Sequence, residues 1–273
     1  TVAELGFEGA LKKLRGDEGT TAEFTVMRGG EEKTFSIVRR EYESLSVTYH
    51  VNAVNPKVGV VKLIQFDLTT PGQFAAAMDS LILSGCEYFL FDVRYNGGGD
   101  LASITAVLSF MLNKDDIVIR TAGRDETQKY PTKVGVVQYP ASSAYSACNV
   151  SADDIGKYRS AVMGKSAVLA NGSTASAAEL FTSALKDYNK ATIVGTNTYG
   201  KGCGQNGYSL SNGGVLYVTS FLYNPPYSEN YDKKGISPDV EVELPDEFKN
   251  TSLFFLSHED DTQLGRALEE IKK

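Results

Sequence analysis

Two short segments of this chain combine residue types that can carry out nucleophilic chemistry. The first, NGSTASAAE (171–179), places the hydroxyl groups of Ser173, Thr174 and Ser176 ahead of a run with helical spacing. A serine at the start of a helix has the next backbone amide, here that of Ala177, facing the same space, with the positive end of the helix behind it. The same hydroxyls are equally typical of a helix cap formed by Ser173 or Thr174. The segment alone leaves both interpretations open.

The second segment, TYGKGCGQ (198–205), supplies a basic group. The chain has only two histidines, His50 and His258. Neither is close in sequence to Ser176, so another group must take the serine proton. Lys201 lies between two glycines with no acidic neighbour in the segment. Burial among apolar groups favours a neutral amine, which can accept a serine proton, and Gln205 is placed to orient it. A solvated surface lysine is the alternative interpretation.

A third segment, FDVRYNGGGD (91–100), offers backbone amides. Three consecutive glycines permit backbone geometry that other residues resist and leave their N–H groups uncovered. Such amides can stabilise a developing oxyanion. An ordinary tight turn between a strand and a helix is the alternative. The segment is neither a phosphate-binding Gly-Lys-Ser/Thr loop nor a GxGxxG dinucleotide fingerprint.

The elements that must position these segments follow an α/β pattern from about Ser46 onward. Apolar runs predict strands at 58–66, 88–95, 166–170 and 191–196, and helices at 69–85, 101–112 and 177–188. Thr70 is expected to cap the first of these helices, with Pro71 in its first turn. Alternating strands and helices predict a largely parallel central sheet with flanking helices, and reactive groups at the carboxyl ends of its strands.

The other parts of the chain show weaker patterns. The interval 113–164 is interpreted as an insertion over one face of the sheet, 207–224 as a β-hairpin, 235–245 as an extended closing segment and 259–273 as a surface helix. The first forty residues predict a short amphipathic helix and two alternating strands joined at GGEE. They are too few for an independent core, so 1–45 is interpreted as the second half of a small β-rich domain, with 41–46 as a link.

Composition limits the function classes. The 273 residues are 42% hydrophobic and 22% charged, which predicts a packed globular core. A net charge of −7 argues against nucleic acid as a main partner. No apolar run approaches the ~20 residues of a membrane span. The odd, widely spaced cysteines indicate neither a zinc site nor a disulfide framework. They are Cys86, Cys148 and Cys203. We therefore expect no metal and no cofactor.

The motifs together resemble those of the C-terminal processing (tail-specific) peptidases, the S41 serine peptidase family. The resemblance runs in order through FDVRYNGGGDL, NGSTASAAEL, GTNTYGKGCGQ and GISPDVEVEL. It covers about 58–242. The family pattern is roughly Asp-Leu-Arg-x-Asn-x-Gly-Gly, Ser-Ala-Ser-Ala-Ser-Glu, Gly-Lys-Gly-x-x-Gln and Gly-Ile-x-Pro-Asp. The resemblance implies a ClpP/crotonase-like core at 46–273, and it identifies 1–45 as the end of a PDZ domain.

The resemblance also assigns residues. Ser176 matches the family nucleophile, Lys201 the general base and Gln205 the residue that positions the base. The separations of 25 positions from Ser176 to Lys201 and 4 from Lys201 to Gln205 agree with the family pattern. Cys203, inside the second motif, is expected to pack passively, because no histidine is placed to activate it.

The resemblance implies an oxyanion hole made from backbone amides. Ala177 would be one donor, and Gly98, with Gly99 as the other candidate, would be the second. This sequence departs from the family pattern at three positions, none of them catalytic. They are Thr174, Ala178 and Gly97.

The function implied is a serine endopeptidase that cleaves polypeptides near their C-termini by a Ser–Lys mechanism. An exported location in a bacterium (periplasmic, cell-surface or membrane-anchored) is implied as well. The chain begins with Thr and is interpreted as a piece of a longer protein, so any membrane association is expected through an upstream segment. The oligomeric state is not indicated. Two alternatives remain open: a crotonase-like acyl-transfer enzyme and an inactive peptidase fold that binds peptides.

Overall fold

The apolar runs of the sequence form helices and strands throughout the residues that this computed structural model describes. The described residues are 1–41, 44–123, 129–135, 138–249, 251, 253 and 256–271. The helices are α1 (Val2–Leu14), α2 (Thr70–Leu83), α3 (Leu101–Ser109), α4 (Arg159–Val162), α5 (Ala177–Asp187) and α6 (Thr262–Glu270). The strands are β1 (Thr21–Arg28), β2 (Glu31–Val38), β3 (Val47–Val51), β4 (Val58–Leu63), β5 (Tyr88–Asp92), β6 (Ile117–Gly123), β7 (Lys129–Lys133), β8 (Ser166–Ala170), β9 (Thr192–Gly195), β10 (Cys203–Ser209), β11 (Val215–Asn224) and β12 (Val240–Glu241).

The chain divides into two compact units, Thr1–Ser44 and Leu45–Lys273. The division falls inside the predicted link 41–46, of which residues 42 and 43 lie outside the described part. None of the described helices is both long and apolar enough to cross a membrane.

The first unit contains α1 and the antiparallel hairpin β1–β2. The hairpin turns at Gly29 and Gly30, both with positive φ, which suits a two-residue turn between twisted strands. Phe24 and Phe35 stack across the strands, with ring centroids 5.7 Å apart. The predicted helix and hairpin are confirmed, whereas the assignment of this unit to a PDZ domain stays a prediction.

The second unit is built on a six-stranded sheet in the order β12-β9-β8-β5-β4-β3. Its pairings are parallel except for β3, which runs antiparallel to β4 at one edge. The predicted α/β fold with a largely parallel sheet is confirmed. Strand β3 was not predicted, because only its first residue, Val47, is buried and the rest is exposed. An edge strand of this kind carries no continuous apolar signal.

Hydrophobic clusters cover both faces of this sheet. Alternate residues of β5 point to opposite faces of the sheet and belong to different clusters. Phe89 and Phe91 lie in the larger cluster, which includes residues of α2, α3 and α5, and Leu90 lies in the smaller one. The smaller cluster contains Ala267 and Leu268 of α6. The sheet is therefore the middle of three layers, and this burial explains why its strands read as nearly continuous apolar runs.

The interval 113–164 differs from its interpretation as a simple insertion. Strands β6 and β7 lie in it, and they join the predicted hairpin β10–β11 in a four-stranded antiparallel sheet in the order β10-β11-β6-β7. The pairing of β6 with β11 joins residues about a hundred positions apart, such as Thr121 and Tyr223. Local patterns in the sequence cannot predict such a pairing.

The C-terminal helix is confirmed, but its interpretation as a surface helix is only partly right. One face of α6 is buried against the central sheet, with Ala267 fully buried. Asp261, its N-cap residue, is also buried and contacts both terminal nitrogens of Arg94 at 2.8 Å. Arg94 in turn binds Asp92 at the end of β5.

The start of α2 shows a further difference from the prediction. The N-cap residue is Thr69 rather than Thr70, and Pro71 lies in the first turn as expected. The Asp67 carboxylate accepts hydrogen bonds from the amides of both threonines, at 2.9 and 3.1 Å. An aspartate three residues before the helix therefore performs the capping that the sequence assigned to a threonine.

Candidate active site

The segment 171–179 forms a strained turn between β8 and α5. Ser176 has φ 58° and ψ −120°, a conformation that is costly for a residue with a Cβ atom. Thr174 does not cap the helix: it is fully buried, and its hydroxyl donates to the carbonyl of Val93 at 2.9 Å. Ser176 is the N-cap residue instead, and it lines a cavity next to the turn.

Glu179 holds this turn in place. Its carboxylate is fully buried and accepts the amide of Ser176 at 2.9 Å. It also accepts the amides of Gly200 and Lys201, at 2.7 and 2.8 Å, and the hydroxyl of Thr198 at 2.6 Å. One buried carboxylate thus joins the turn that contains Ser176 (171–176, the serine turn) to the segment that contains Lys201 (198–202, the lysine turn). Four donors compensate for the loss of its hydration.

The sequence analysis missed the role of Glu179, although a signal for it was present. A serine followed by a glutamate three positions on, at the start of a helix, is the pattern of a capping box. The local half of the arrangement, in which the glutamate accepts the amide of Ser176, could therefore have been predicted. The three bonds to the lysine turn could not, because they join segments about 20 residues apart.

The glycine turn lies against Ser176 and is tied to the end of β4. A Cβ atom on Gly98 would lie 2.7 Å from the Cβ of Ser176, and one on Gly99 would lie 2.0 Å from the carbonyl oxygen of Phe66. Both glycines have positive φ, at 103° and 145°. Only glycine fits at these two positions.

The two candidate oxyanion donors of this turn, the amides of Gly98 and Gly99, differ in whether they already make a hydrogen bond. The amide of Gly98 donates to Asn96 Oδ1 at 2.8 Å, so in this conformation it is not free to hold an oxyanion. The amides of Gly99 and Ala177 make no hydrogen bond within the described part of the chain. Asn96, which is buried, also accepts the amide of Ala175 at its carbonyl and donates to the carbonyl of Leu63. The sequence analysis did not assign Asn96, whose carbonyl joins the glycine turn to the serine turn while its side chain joins it to the end of β4.

A cavity of about 300 Å³ brings the predicted residues together. It is lined by Ser176, Ala177, Lys201, Gln205 and Gly99, together with apolar side chains such as Ile119, Leu180 and Phe221. The Lys201 side chain is half-buried, and within the described residues it forms no ion pair. Gln205 is exposed on β10, next to a β-bulge. Of the six predicted site residues, only Gly98 is absent from this lining, and it lies directly behind Ser176.

Tyr223 is the residue nearest to the serine hydroxyl that the sequence analysis did not identify. Its hydroxyl lies 3.0 Å from Ser176 Oγ and 2.6 Å from the carbonyl oxygen of Lys201. Burial raises the pKa of Tyr223 to about 12, so the phenol is protonated at neutral pH. Tyr223 is 47 residues from Ser176, on β11, and no sequence motif marked it.

Cys203 also lines the cavity, and its environment agrees with a passive role. Burial and the nearby Asp232 raise the pKa of its thiol, which disfavours the reactive thiolate. Among the described residues, no group of three or more His, Cys, Asp or Glu side chains forms a site that could hold a metal ion.

Comparison with known proteins identifies the family. The model of peptidase family S41 matches residues 57–242. This chain belongs to peptidase family S41. The matched region contains the three turns of the site and the whole of the cavity lining named above. The S41 assignment agrees with the family that the sequence motifs indicated.

Individual S41 relatives agree with this assignment. CtpA-like serine proteases of Staphylococcus haemolyticus (strain JCSC1435) and Staphylococcus aureus (strain bovine RF122 / ET3-1) are 29% and 30% identical over 235 residues. These matches cover 86% of this chain and 42% of each relative. The chain therefore spans less than half the length of these curated relatives.

Solved structures show the same fold. The photosystem II D1 C-terminal processing protease matches with a TM-score of 0.55 and 26% identity, over 84% of this chain and 58% of that one. An S41 protease from Bacteroides fragilis NCTC 9343 matches with a TM-score of 0.64 and 17% identity, over 92% and 65% of the two chains.

Proposed function

We propose that this chain is a serine endopeptidase in which Ser176 is the nucleophile and Lys201 the general base. The observation that carries the proposal is the shared cavity: the strained turn of Ser176, the side chain of Lys201 and the unpartnered amide of Ala177 all line it. A strained nucleophile at a helix N-terminus, next to a basic group and free amides, is the arrangement that acyl transfer requires.

The proposed reaction proceeds in two steps. Neutral Lys201 accepts the proton of Ser176, whose Oγ attacks the carbonyl carbon of a peptide bond. The amides of Ala177 and Gly99 stabilise the oxyanion, and the Lys201 ammonium protonates the leaving amine. Water then attacks the acyl-enzyme and gives a proton to Lys201. The ester bond to Ser176 breaks, Lys201 returns the proton to Ser176 Oγ, and the acid product leaves. The free amide of Gly99 supports it over Gly98 as the second donor, and Gln205 is proposed to orient the amine.

The substrates are proposed to be polypeptides cleaved near their C-termini. The support is the S41 family and the likeness to the photosystem II D1 C-terminal processing protease. An exported location in a bacterium is proposed on the same family resemblance. Lys201 is half-buried and has no carboxylate partner among the described residues, which supports its proposed role as the base.

The test is mass spectrometry of the products released from an unstructured protein. We expect cleavage by the wild type and at least about 10³-fold slower cleavage by Ser176→Ala and Lys201→Ala, because each removes a group that forms or breaks bonds. Ser173→Ala is the matched control, since Ser173 is an exposed serine of the same turn. Full turnover by a folded Lys201→Ala variant would refute the base, and turnover by Ser176→Ala would refute the nucleophile.

An inactive peptide-binding role is the second candidate. One observation favours it: the hydroxyl of Ser176 is bonded to Tyr223 and not to Lys201 in this structure. A fluorophosphonate probe separates the two functions. Covalent labelling at Ser176 supports the peptidase, whereas unlabelled protein that still binds peptides supports the binding role.

A further inference from the structure

The Tyr223 hydroxyl joins the two halves of the proposed dyad. It contacts Ser176 Oγ at 3.0 Å and the main-chain carbonyl of Lys201 at 2.6 Å. Its own position is fixed on several sides. The amide of Tyr223 donates to Gly202, and its carbonyl accepts from Asn230, whose side chain also donates to Gly202. The phenol is therefore held on the backbone of the lysine turn.

Proton counting gives the direction of both hydrogen bonds. A phenol has one proton, and the Lys201 carbonyl can only accept. The tyrosine proton therefore goes to the carbonyl, and the phenol oxygen accepts the proton of Ser176. Tyr223 makes the one side-chain hydrogen bond that reaches Ser176 Oγ within the described part of the chain.

We propose that Tyr223 is a positioning residue of the reaction. Its phenol oxygen holds the Ser176 hydroxyl close to the backbone of Lys201 until Lys201 takes the serine proton. The inference rests on the proposed function. Without this bond Ser176 Oγ could rotate about its Cα–Cβ bond, and a reacting atom that is misplaced by about 1 Å loses much of its rate. The phenol that binds both Ser176 Oγ and the main chain of Lys201 keeps the serine hydroxyl close to the backbone from which the Lys201 side chain extends.

The test compares Tyr223→Phe with Tyr231→Phe. The two tyrosines are ring neighbours, with centroids 6.3 Å apart, and both are buried. The hydroxyl of Tyr231, however, has no hydrogen-bond partner among the described residues. Removing it controls for the loss of a buried phenol oxygen next to the site without touching Ser176. Both variants are assayed in the full chain for peptide cleavage, thermal unfolding and the rate of Ser176 labelling by a small fluorophosphonate.

We expect Tyr223→Phe to lower kcat about three- to tenfold with little change in KM, the effect of one net hydrogen bond lost from the reacting arrangement. Fluorophosphonate labelling of Ser176 should slow by a similar factor, since the probe is too small to need the peptide site. Tyr231→Phe should match the wild type in both assays. A purely structural role would lower the midpoint of unfolding and leave kcat per folded molecule unchanged.

The outcomes separate this inference from the proposed function. If the wild type neither cleaves peptides nor reacts with the probe, the proposed function fails. If the wild type is active and Tyr223→Phe has the same kcat and labelling rate, Tyr223 is not a positioning residue. Should Tyr223→Phe fold poorly, 3-fluorotyrosine at position 223 alone keeps the ring and the hydroxyl but makes the oxygen a weaker acceptor. The inference then requires slower labelling at neutral pH, and an unchanged rate overturns it.

Discussion

Ser176 adopts a backbone conformation that the chain would not hold without outside support. Its φ of 58° is unfavourable, and its amide is bound by Glu179, which also binds the amide of Lys201. Strain of about 1–3 kcal/mol persists only where surrounding contacts determine the conformation. Glu179 provides these contacts, so the conformation of Ser176 depends on a buried carboxylate three positions further along the chain.

Replacing Glu179 with glutamine should therefore affect both stability and cleavage. Each carboxylate oxygen accepts two donors, one the amides of Ser176 and Lys201 and the other the amide of Gly200 and the hydroxyl of Thr198. An NH₂ group in place of either oxygen leaves two buried donors unpaired. We expect a loss of about 2–4 kcal/mol in the free energy of unfolding, from charge-assisted bonds of about 1.5–3 kcal/mol each. Peptide cleavage should fall more than about tenfold. Denaturant unfolding and a peptidase assay measure the two effects, with the exposed Glu229→Gln as control. A variant as stable and active as the wild type would contradict this role.

Gly98 and Gly97 form a matched pair for a second test. A methyl group on Gly98 would lie 2.7 Å from the Cβ of Ser176, whereas one on Gly97 would meet nothing within 4 Å. Gly98→Ala must displace the serine turn, so we expect cleavage to drop at least about 100-fold, as for other misplaced reacting groups. Gly97→Ala should cleave at close to the wild-type rate. Equal rates for the two variants would show that the glycine turn does not approach Ser176.

At the scale of elements, buried polar groups connect parts of the chain whose apolar surfaces alone would allow several arrangements. Arg94 follows β5, and its guanidinium binds Asp92 on one side and Asp261, the N-cap residue of α6, on the other. All three side chains are less than a tenth exposed. Gln263 completes the set by accepting from Arg94 and donating to Val242. The last helix is thus fixed to the strand that leads into the glycine turn.

Removing one partner of this network should lower the free energy of unfolding much more than removing a surface charge. Asp261→Ala leaves a buried guanidinium with two of its three side-chain partners, Asp92 and Gln263. We expect a loss of about 3–5 kcal/mol in the free energy of unfolding. Glu259→Ala, two positions earlier and exposed, should change it by less than about 0.5 kcal/mol. Chemical denaturation of the two variants decides this, and equal midpoints would contradict a network that secures α6.

Asp67, between β4 and α2, should make the stability of the protein depend on pH in the acid range. Burial alone would raise the pKa of Asp67, but hydrogen bonds from Ser46, Thr69 and Gln65 outweigh it and lower the pKa to about 2. A depressed pKa in the folded state contributes stability above the unfolded value of 3.8, and this contribution is lost as pH falls towards 2. We expect Asp67→Asn to be less stable than the wild type at pH 6, with the difference shrinking between about pH 4 and 2. Urea unfolding across this range measures it, and a constant difference would contradict the assignment.

At the scale of the whole molecule, the two units differ in how much surface they bury. Among the described residues of Thr1–Ser44, only Ala22 is buried, whereas Leu45–Lys273 has clusters on both faces of a six-stranded sheet. Burial of apolar surface is the main source of stability, so the two units should open at very different free energies. The peptidase family match lies entirely within the second unit.

Hydrogen exchange measured by mass spectrometry tests this difference. We expect amides of β1 and β2 to exchange at least about 100-fold faster than those of β5 and β8, because opening the central strands exposes the main core. The comparison uses strands in one protein under one condition, so it needs no variant. Equal protection of the hairpin and the central strands would mean that the first unit is stabilised by contacts beyond its own hairpin and helix.

Local sequence patterns predicted the strands and helices that build the candidate site, and they indicated most of the residues that line its cavity. Apolar runs between turn residues located the strands β4, β5, β8 and β9 and the helices after them, because burial on both faces produces a signal within each segment. Spacing and family resemblance identified Ser176, Lys201 and the glycine turn. Their convergence at one cavity followed from the parallel order of the strands, whose carboxyl ends share an edge.

The contacts that hold these groups in place could be seen in the tertiary structure but not in the sequence. It brought Tyr223 to the serine, placed Glu179 between two turns, joined the amide of Gly98 to Asn96 and paired β6 with β11. Each of these contacts links residues whose local patterns are unrelated, or depends on the detailed course of a turn. Hydrophobic periodicity acts over a few residues, whereas a hydrogen bond between distant segments exists only once the sheet has set their positions. For this reason the residues that meet at the cavity could be predicted from the sequence, while the groups that hold them became visible only in the folded chain.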